Sequence, residues 1–312
     1  MKVLVTGGAG YIGSITVTKL INEGFEVNVL DDLSTGYRKN IHPKAKFIEG
    51  SILDETSLEL AIEGCAAVIH LAAKSIVSES IEKPNDYQET NLEGTNSLIK
   101  KIKNKPVKKF IFASTASVYE MSHEPIKEIS KLLPVNPYGQ TKLAGENLIQ
   151  HDLIGTNIDF FIFRFFNVAG NYTNNDFKTL HEDHRPETHL IPSVLNSLNS
   201  KEFVVYGQNY DTKDGTCVRD YLHVLDLIDA FIVALQSENR FKDIFNLGSG
   251  VGYSVLEVVK EIELHSNQKV ELKYLNRRMG DADILIANVD KVREHLGWVA
   301  KRDLSQIIEG LI

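Results

Sequence analysis

Apolar and polar positions alternate on two length scales through the first half of the chain. Short apolar runs at residues 3–6, 26–30, 46–49, 67–71, 109–113 and 159–164 have the length and content of strands. Longer stretches at residues 12–22, 57–62, 86–103 and 138–151 carry the amphipathic spacing of helices. Strands alternating with helices of this size predict a parallel sheet with right-handed crossovers. The second half is less regular. Loops rich in Asn, Asp, His and Gly occupy residues 170–189 and 207–215, and short strands lie between them. A final helix is predicted from Asp303, a natural N-cap, with Leu304, Ile307, Ile308 and Leu311 on one face. The pattern therefore predicts an α/β fold in one compact unit with a cleft between its halves.

Composition narrows the function classes. Of the 312 residues, 43% are hydrophobic and 24% charged, enough apolar content for an ample core. The net charge of -8 argues against a nucleic-acid partner or an anionic membrane surface. An anionic ligand must then be met by a few local arginines. Cys65 and Cys217 suggest neither a disulfide framework nor a metal site, and point to a reducing compartment. Val3, Leu4 and Val5 run straight into glycines, unlike a signal peptide, and no run of about 18 apolar residues occurs. The expectation is a soluble cytoplasmic protein.

Between the first predicted strand and the first predicted helix lies Thr6-Gly7-Gly8-Ala9-Gly10-Tyr11-Ile12-Gly13. Its glycines permit a tight turn and close approach of backbone to a pyrophosphate at a helix N-terminus. The second strand leads into Asp31, placed to bind both hydroxyls of an adenosine ribose and to repel a 2′-phosphate. No arginine follows it immediately (Arg38 is the first), so the reading favours NAD over NADP. By itself such a turn also fits a generic α/β protein.

Tyr138 and Lys142 stand four apart on a predicted helix, one turn from each other on the same face. A free phenol has a pKa of about 10 and is a poor base. An ammonium ~5 Å away, at an effective dielectric of ~20, favours the phenolate by roughly 3 kcal/mol. That is enough to bring the phenol toward general-base chemistry. Alone the pair proves little, since Tyr and Lys at this spacing are common on ordinary helix surfaces.

Together with Gly7-x-x-Gly10-x-x-Gly13, the Tyr138-x-x-x-Lys142 pair and Ser114-Thr115-Ala116-Ser117-Val118-Tyr119 resemble the extended short-chain dehydrogenase/reductase family. Arg164-Phe165-Phe166-Asn167-Val168-Ala169-Gly170, His189-Leu190-Ile191-Pro192, Asp214-Gly215-Thr216-Cys217-Val218-Arg219-Asp220-Tyr221, Asn246-Leu247-Gly248 and Arg277-Arg278-Met279-Gly280-Asp281 are similar, in order and spacing, to its UDP-galactose 4-epimerase branch. The similarity covers nearly the whole chain.

The resemblance implies a Rossmann-type doubly wound parallel sheet with a smaller mixed α/β substrate-binding domain. Residues 1–167 would form the NAD-binding domain, joined by a segment near 219–245, and residues 168–312 the nucleotide-sugar-binding domain. Tyr138 would take the proton from a sugar 4-hydroxyl as hydride leaves C4 for NAD, with Thr115 orienting that hydroxyl. Lys142 would depress the Tyr138 pKa and hold the nicotinamide ribose. The 4-keto sugar would turn and receive the hydride on its other face. Gly7, Gly10, Tyr11, Ile12, Gly13, Asp31 and Asp32 would bind the cofactor, with Ser51, Ile52, Leu71, Ala72, Ala73, Asn91 and Phe165. Arg219 and Arg278 would grip the diphosphate of a UDP-hexose and Asn167 would donate to a phosphate. Tyr206 would flank the uracil with Val270 nearby, Asp281 would accept from the ribose, and His189, Leu190, Tyr221 and Leu285 would complete the substrate site.

Related dehydratases and decarboxylases place an acid after the serine or threonine; this chain has Ala116 and Ser117, leaving reversible oxidation at C4. Ser51 stands where the resemblance leads one to expect an aspartate facing adenine, which predicts a looser grip there. Phe165 and Ala282-Asp283 are further departures from the pattern. His181, His184 and His189 lack the His-x-x-x-His spacing of a helical zinc site, so no metal is expected. The helices at 86–103 and 138–151 resemble those that pair in homodimeric relatives. Two rival readings remain: a UDP-N-acetylglucosamine 4-epimerase, with Leu285 of intermediate size beside the sugar, and a non-catalytic NAD or nucleotide-sugar sensor.

Overall fold

The computed structural model describes residues 1–173, 179–183, 187–278 and 281–312. His184, Met279 and Gly280 of the motifs above lie outside the described residues. The apolar runs become β1 (Lys2–Thr6), β2 (Glu26–Asp31), β3 (Lys46–Glu49), β4 (Ala67–His70), β5 (Lys109–Thr115) and β6 (Asp159–Phe165). With the strand Lys242–Leu247 they form a seven-stranded sheet in the order Lys242–Leu247, β6, β5, β4, β1, β2, β3. All the pairings are parallel. The order reverses between β1 and β4, which opens a crevice beyond the carboxyl ends of those strands.

Successive residues of a strand face opposite ways, so β1 sends Val3 and Val5 into one core and Leu4 into the other. Such two-sided burial explains why these strands read as continuous apolar runs. On the first face lie α1 (Tyr11–Asn22), through Ile15, Val17 and Leu20, and a helix at Val224–Gln236, through Leu227, Ile228 and Phe231. Opposite them are α2 (Glu55–Ile62), α5 (Gly94–Ile102) and α6 (Pro137–Leu153). Asp54 caps α2 by accepting from the Thr56 and Ser57 amides.

The helix expected over 86–103 is not continuous. After α3 (Val77–Glu82), α4 (Pro84–Tyr87) passes into a π turn at Gln88–Glu93 before α5 begins. A wider i→i+5 turn leaves no signature in a 3.6-residue apolar period. Its effect is to turn Asn91 inward, where it accepts from the Lys74 amide at 2.8 Å and donates to the Lys74 carbonyl at 3.0 Å.

The second half builds smaller sheets. The strand Val218–His223 pairs with Gly252–Ser254 (antiparallel), with Ile284–Leu285 (parallel) and with β7 (Asn167–Ala169; parallel). Thus the part of the chain that returns to the main sheet is the helix Val224–Gln236 and the strand Lys242–Leu247, while Arg219 belongs to the smaller assembly. A separate core unites Ile191 and Val194 of α7 (Leu190–Ser200) with Val258, Ile262, Ile307 and Ile308. The last helix, Leu304–Glu309, is capped by Asp303 and Gln306 in a reciprocal box; it stops short of Leu311, which still packs on this core. No helix among the described residues is long and apolar enough to cross a membrane.

Candidate active site

A cavity of about 1850 Å³ runs from the glycine turn to the smaller sheet. At one end the turn after β1 must pass close under the β4 loop. Gly7 has φ +72°, and a Cβ there would lie 2.7 Å from the Ala72 backbone nitrogen. Gly10, Tyr11, Ile12 and Gly13 follow along the same wall as α1 begins, with Leu71, Ala72 and Ala73 opposite. Gly10 N-caps α1 without a side-chain hydrogen bond, so the cap itself leaves the amides of the first turn to other partners. Tyr11 Oη donates to the Gly170 carbonyl at 2.6 Å, which ties this end to the second half.

Asp31, 8% exposed at the end of β2, accepts from the Ala9 amide at 2.9 Å and the Leu33 amide at 2.8 Å. Burial raises its pKa while those two amides oppose the rise. Asp31, Asp32, Ser51 and Ile52 all line the cavity, and Ser51 Oγ accepts from the Leu53 amide at 3.1 Å. Arg38 is turned away, paired with Glu49 and stacked on Phe47. The close-packed glycine turn, open helix start and acid at the strand end fit a dinucleotide with free ribose hydroxyls.

The middle wall carries the candidate proton-transfer set. Asn136 and Pro137 start α6, Asn136 accepting from the Gly139 amide at 2.8 Å. A Cβ at Gly139 would lie 2.5 Å from the Ser117 carbonyl, so only glycine lets the helix sit this close to the end of β5. That closeness brings Tyr138 and Lys142 beside Thr115, on which β5 ends. Tyr138 packs edge-on against Tyr87, with centroids 6.4 Å apart. The Lys142 ammonium is buried, donates to the Ala113 carbonyl at 2.9 Å and sits 4.9 Å from the Phe112 ring centroid.

The electrostatics differ from the simple pair expected. Burial raises the Tyr138 pKa, and the opposing influence is a hydrogen bond from Thr115, not the Lys142 charge. Burial also lowers Lys142 to about 8, against an upward pull from Glu146. Desolvation thus acts on both members and outweighs their attraction. Glu146, absent from the sequence reading, is one more turn along the same helix face; its spacing from Tyr138 and Lys142 was the available signal.

At the far end, Asn167, Leu190, Tyr221 and Leu285 line the cavity with Arg219, Arg278, Asp281 and Tyr206. Arg219 pairs with Asp281, whose other oxygen accepts from Tyr210 Oη at 3.0 Å. The Arg278 guanidinium lies 4.2 Å from the centroid of the Tyr206 ring. His189 also lines this end, paired with Glu182 at 2.8 Å and Glu187 at 3.5 Å. Burial pushes the imidazole down, but the two carboxylates more than offset it and raise it to about 10. The ligand atoms of Glu182, Glu187 and His189 lie within 4.8 Å of one another, a grouping that the spacing of the histidines does not predict.

Two expected site residues stand off the cavity wall. Val270 is 7% exposed within the core of the second half, because it directly precedes the strand Glu271–Leu275 and points inward. Asn91 is 2% exposed and works behind the wall, bonding Lys74, which lines the cavity, and Thr141 of α6. Phe165 lines the cavity and packs on Phe231, with ring centroids 6.4 Å apart.

Residues 3–248 match the profile of the NAD dependent epimerase/dehydratase family. The chain belongs to that family. Its members include enzymes similar to this one over almost their full length. The UDP-glucose 4-epimerase of Lactobacillus helveticus is 44% identical over 97% of this chain and 93% of its own. The crystal structure of UDP-glucose 4-epimerase from Brucella ovis in complex with NAD superposes with a TM-score of 0.93 at 37% identity, covering 99% of this chain and 96% of that one. The UDP-Glc/GlcNAc 4-epimerase from Campylobacter jejuni gives 0.85 at 34% identity, covering 99% and 97%. As a member of this family the protein is an NAD-dependent enzyme, and the glycine turn with Asp31 is where its own residues fit that cofactor.

Proposed function

We propose that this enzyme interconverts UDP-glucose and UDP-galactose by reversible oxidation at the sugar C4, without net redox change. The observation that carries the reading is the convergence of three groups on one cavity: the glycine turn with Asp31, the Thr115, Tyr138 and Lys142 set, and Arg219, Arg278 and Asp281. When bound, NAD accepts and returns a hydride at C4 and adds the positive charge of its nicotinamide. Tyr138 takes the hydroxyl proton in the first half of the reaction and gives it back in the second. Thr115 orients the hydroxyl and stabilises the phenolate by its hydrogen bond. Lys142 supplies a buried ammonium one turn away and holds the cofactor ribose.

Recognition falls to the far end. Arg219 and Arg278 hold the diphosphate, Asn167 donates to it, Tyr206 flanks the uracil and Asp281 accepts from the ribose. Arg219 and Asp281 must exchange their mutual contact for contacts to the nucleotide. Ala116 and Ser117 line the cavity where an eliminating enzyme needs its acid, which favours epimerisation over dehydration. Residues 1–167 with 224–247 act as the cofactor-binding domain and most of the remainder as the substrate domain.

Leu285, half-buried on the cavity wall and intermediate in size, leans toward the unacetylated hexose; the second reading is a substrate N-acetylated at the neighbouring carbon. A coupled assay offering UDP-galactose and UDP-N-acetylgalactosamine, with Tyr138→Phe as control, separates the possibilities. Turnover of the hexose, lost in the control, is the expected result. Turnover of the acetylated sugar alone transfers the assignment to UDP-N-acetylglucosamine 4-epimerase, and turnover of neither leaves a non-catalytic sensor. The enzyme works in the cytoplasm as a homodimer paired through α5 and α6. A monomer in light scattering would refute the pairing.

A further inference from the structure

Behind Lys142 lies a buried cluster that the reaction outlined above does not use. Glu146 is fully buried on the same face of α6. Its carboxylate accepts from Arg164 Nε at 2.9 Å and Nη2 at 2.5 Å, and from Ser114 Oγ. Arg164, 1% exposed on β6, also donates to Tyr119 Oη at 2.8 Å and to the Glu128 carbonyl at 3.1 Å. Tyr119 in turn donates to Asn246 Oδ1 at 2.6 Å. The carboxylate and its partners Arg164 and Ser114 are all buried, so its hydrogen bonds lie in a low-dielectric interior. Ser114 directly precedes Thr115, and Lys142 stands one turn before Glu146. The cluster therefore touches the supports of two members of the proton-transfer set.

Its charge count gives it a purpose beyond packing. Lys142 and Arg164 are two buried cations, and Glu146 is bonded to Arg164 and stands one helical turn from Lys142. The groups facing Lys142 are the Phe112 ring and Ala113 carbonyl from β5, His70 from β4, and Tyr138 and Glu146 on its own helix. His70 is neutral at physiological pH, because burial first and the Lys142 charge second lower its pKa to about 3. Of these groups only Glu146 carries a negative charge there.

We propose that Glu146, fixed by Arg164 and Ser114, is a positioning residue that acts through its charge to keep Lys142 protonated on the wall it shares with Tyr138. It acts through Lys142 and touches neither substrate nor cofactor. The burial that lowers Lys142 and the upward pull of Glu146 agree with this geometry. Removing one buried carboxylate charge from a site one turn away, at an effective dielectric of ~20, is worth roughly one to two units of lysine pKa. The inference rests on Lys142 serving at the catalytic wall, as in the proposed reaction.

The test is a 15N NMR titration of the Lys142 Nζ in the full chain, alongside the pH profile of turnover. Glu146→Gln should move the Lys142 titration to lower pH by at least about one unit, and the alkaline limb of turnover should follow. Glu146→Asp keeps the charge but withdraws it by one methylene, and should move both the same way by less. If Glu146→Gln does not fold, Glu146→Asp decides alone. A folded variant of lower melting temperature whose Lys142 titration stays at the wild-type position overturns the proposal and leaves the cluster a purely structural one. The titration needs no turnover, so an enzyme active on neither UDP-sugar would sink the proposed reaction while leaving this result readable.

Discussion

The two ends of the cavity are built on opposite principles. The candidate proton-transfer wall stands on α6 and the end of β5, and its polar groups are bound to the framework: Lys142 to Ala113, Glu146 to Arg164, Asn136 to Gly139. At the nucleotide end the charged groups sit at strand ends and in loops and are bound to one another. Arg219 holds Asp281, and Arg278 covers Tyr206. Chemistry needs reacting groups fixed to fractions of an ångström, which desolvated, fully bonded side chains provide. Recognition of a diphosphate needs donors that can be released to the ligand, and Arg219 can exchange its carboxylate partner Asp281 for phosphate oxygens. On the proposed reaction, the rigid end would set rate and the exchangeable end affinity.

The sharpest way to break this contrast is Tyr138→Phe, which deletes the proton acceptor and leaves the ring packed on Tyr87. Turnover should fall by roughly 10³-fold with little change in KM. A variant that loses affinity while keeping its turnover would mean that the wall serves binding. Next in size is Arg219→Ala. It removes one fork from the diphosphate and should cost about 2 kcal/mol, roughly 30-fold, in KM at similar kcat. Steady-state kinetics in which kcat falls and KM holds would erase the distinction between the two ends.

A smaller effect comes from pH and belongs to the rigid end alone. Lys142 is lowered from 10.5 to about 8, so it loses its charge as the pH rises through 8, and turnover should decline up to tenfold per unit above that point. Stability should move the other way. Between 8 and 10.5 the unfolded chain holds a proton at this lysine that the folded chain has released, so stability rises with pH through that window. Rate profiles and thermal melts over the same range check both signs, and a Lys142→Met variant should flatten this component of the melts. The smallest expected effect is at the adenine end. Ser51→Asp restores a charged acceptor and should slow NAD loss about two- to threefold, read by the NAD retained after gel filtration; unchanged retention would remove Ser51 as a determinant.

Much of this was legible along the chain. The strand runs, the glycine turn, Asp31 at the end of β2 and the Asp303 cap are each decided within a few residues, by side-chain alternation, backbone freedom and local hydrogen bonding. The Tyr138 and Lys142 pair is of the same kind, since four residues of helix suffice to align two side chains. The remainder depended on groups distant in sequence. The π turn that draws Asn91 behind the wall, the inward turn of Val270, and the joining of His189 to Glu182 and Glu187 are outcomes of packing. So is the reversal at Lys142. Spacing alone set an ammonium against a phenol, but only the folded chain shows both desolvated and Glu146 locked to Arg164 on β6. The sequence determined which side chains could face one another along the cavity wall; tertiary structure decided their charge, because desolvation and long-range partners are properties of the packed interior and not of the local chain.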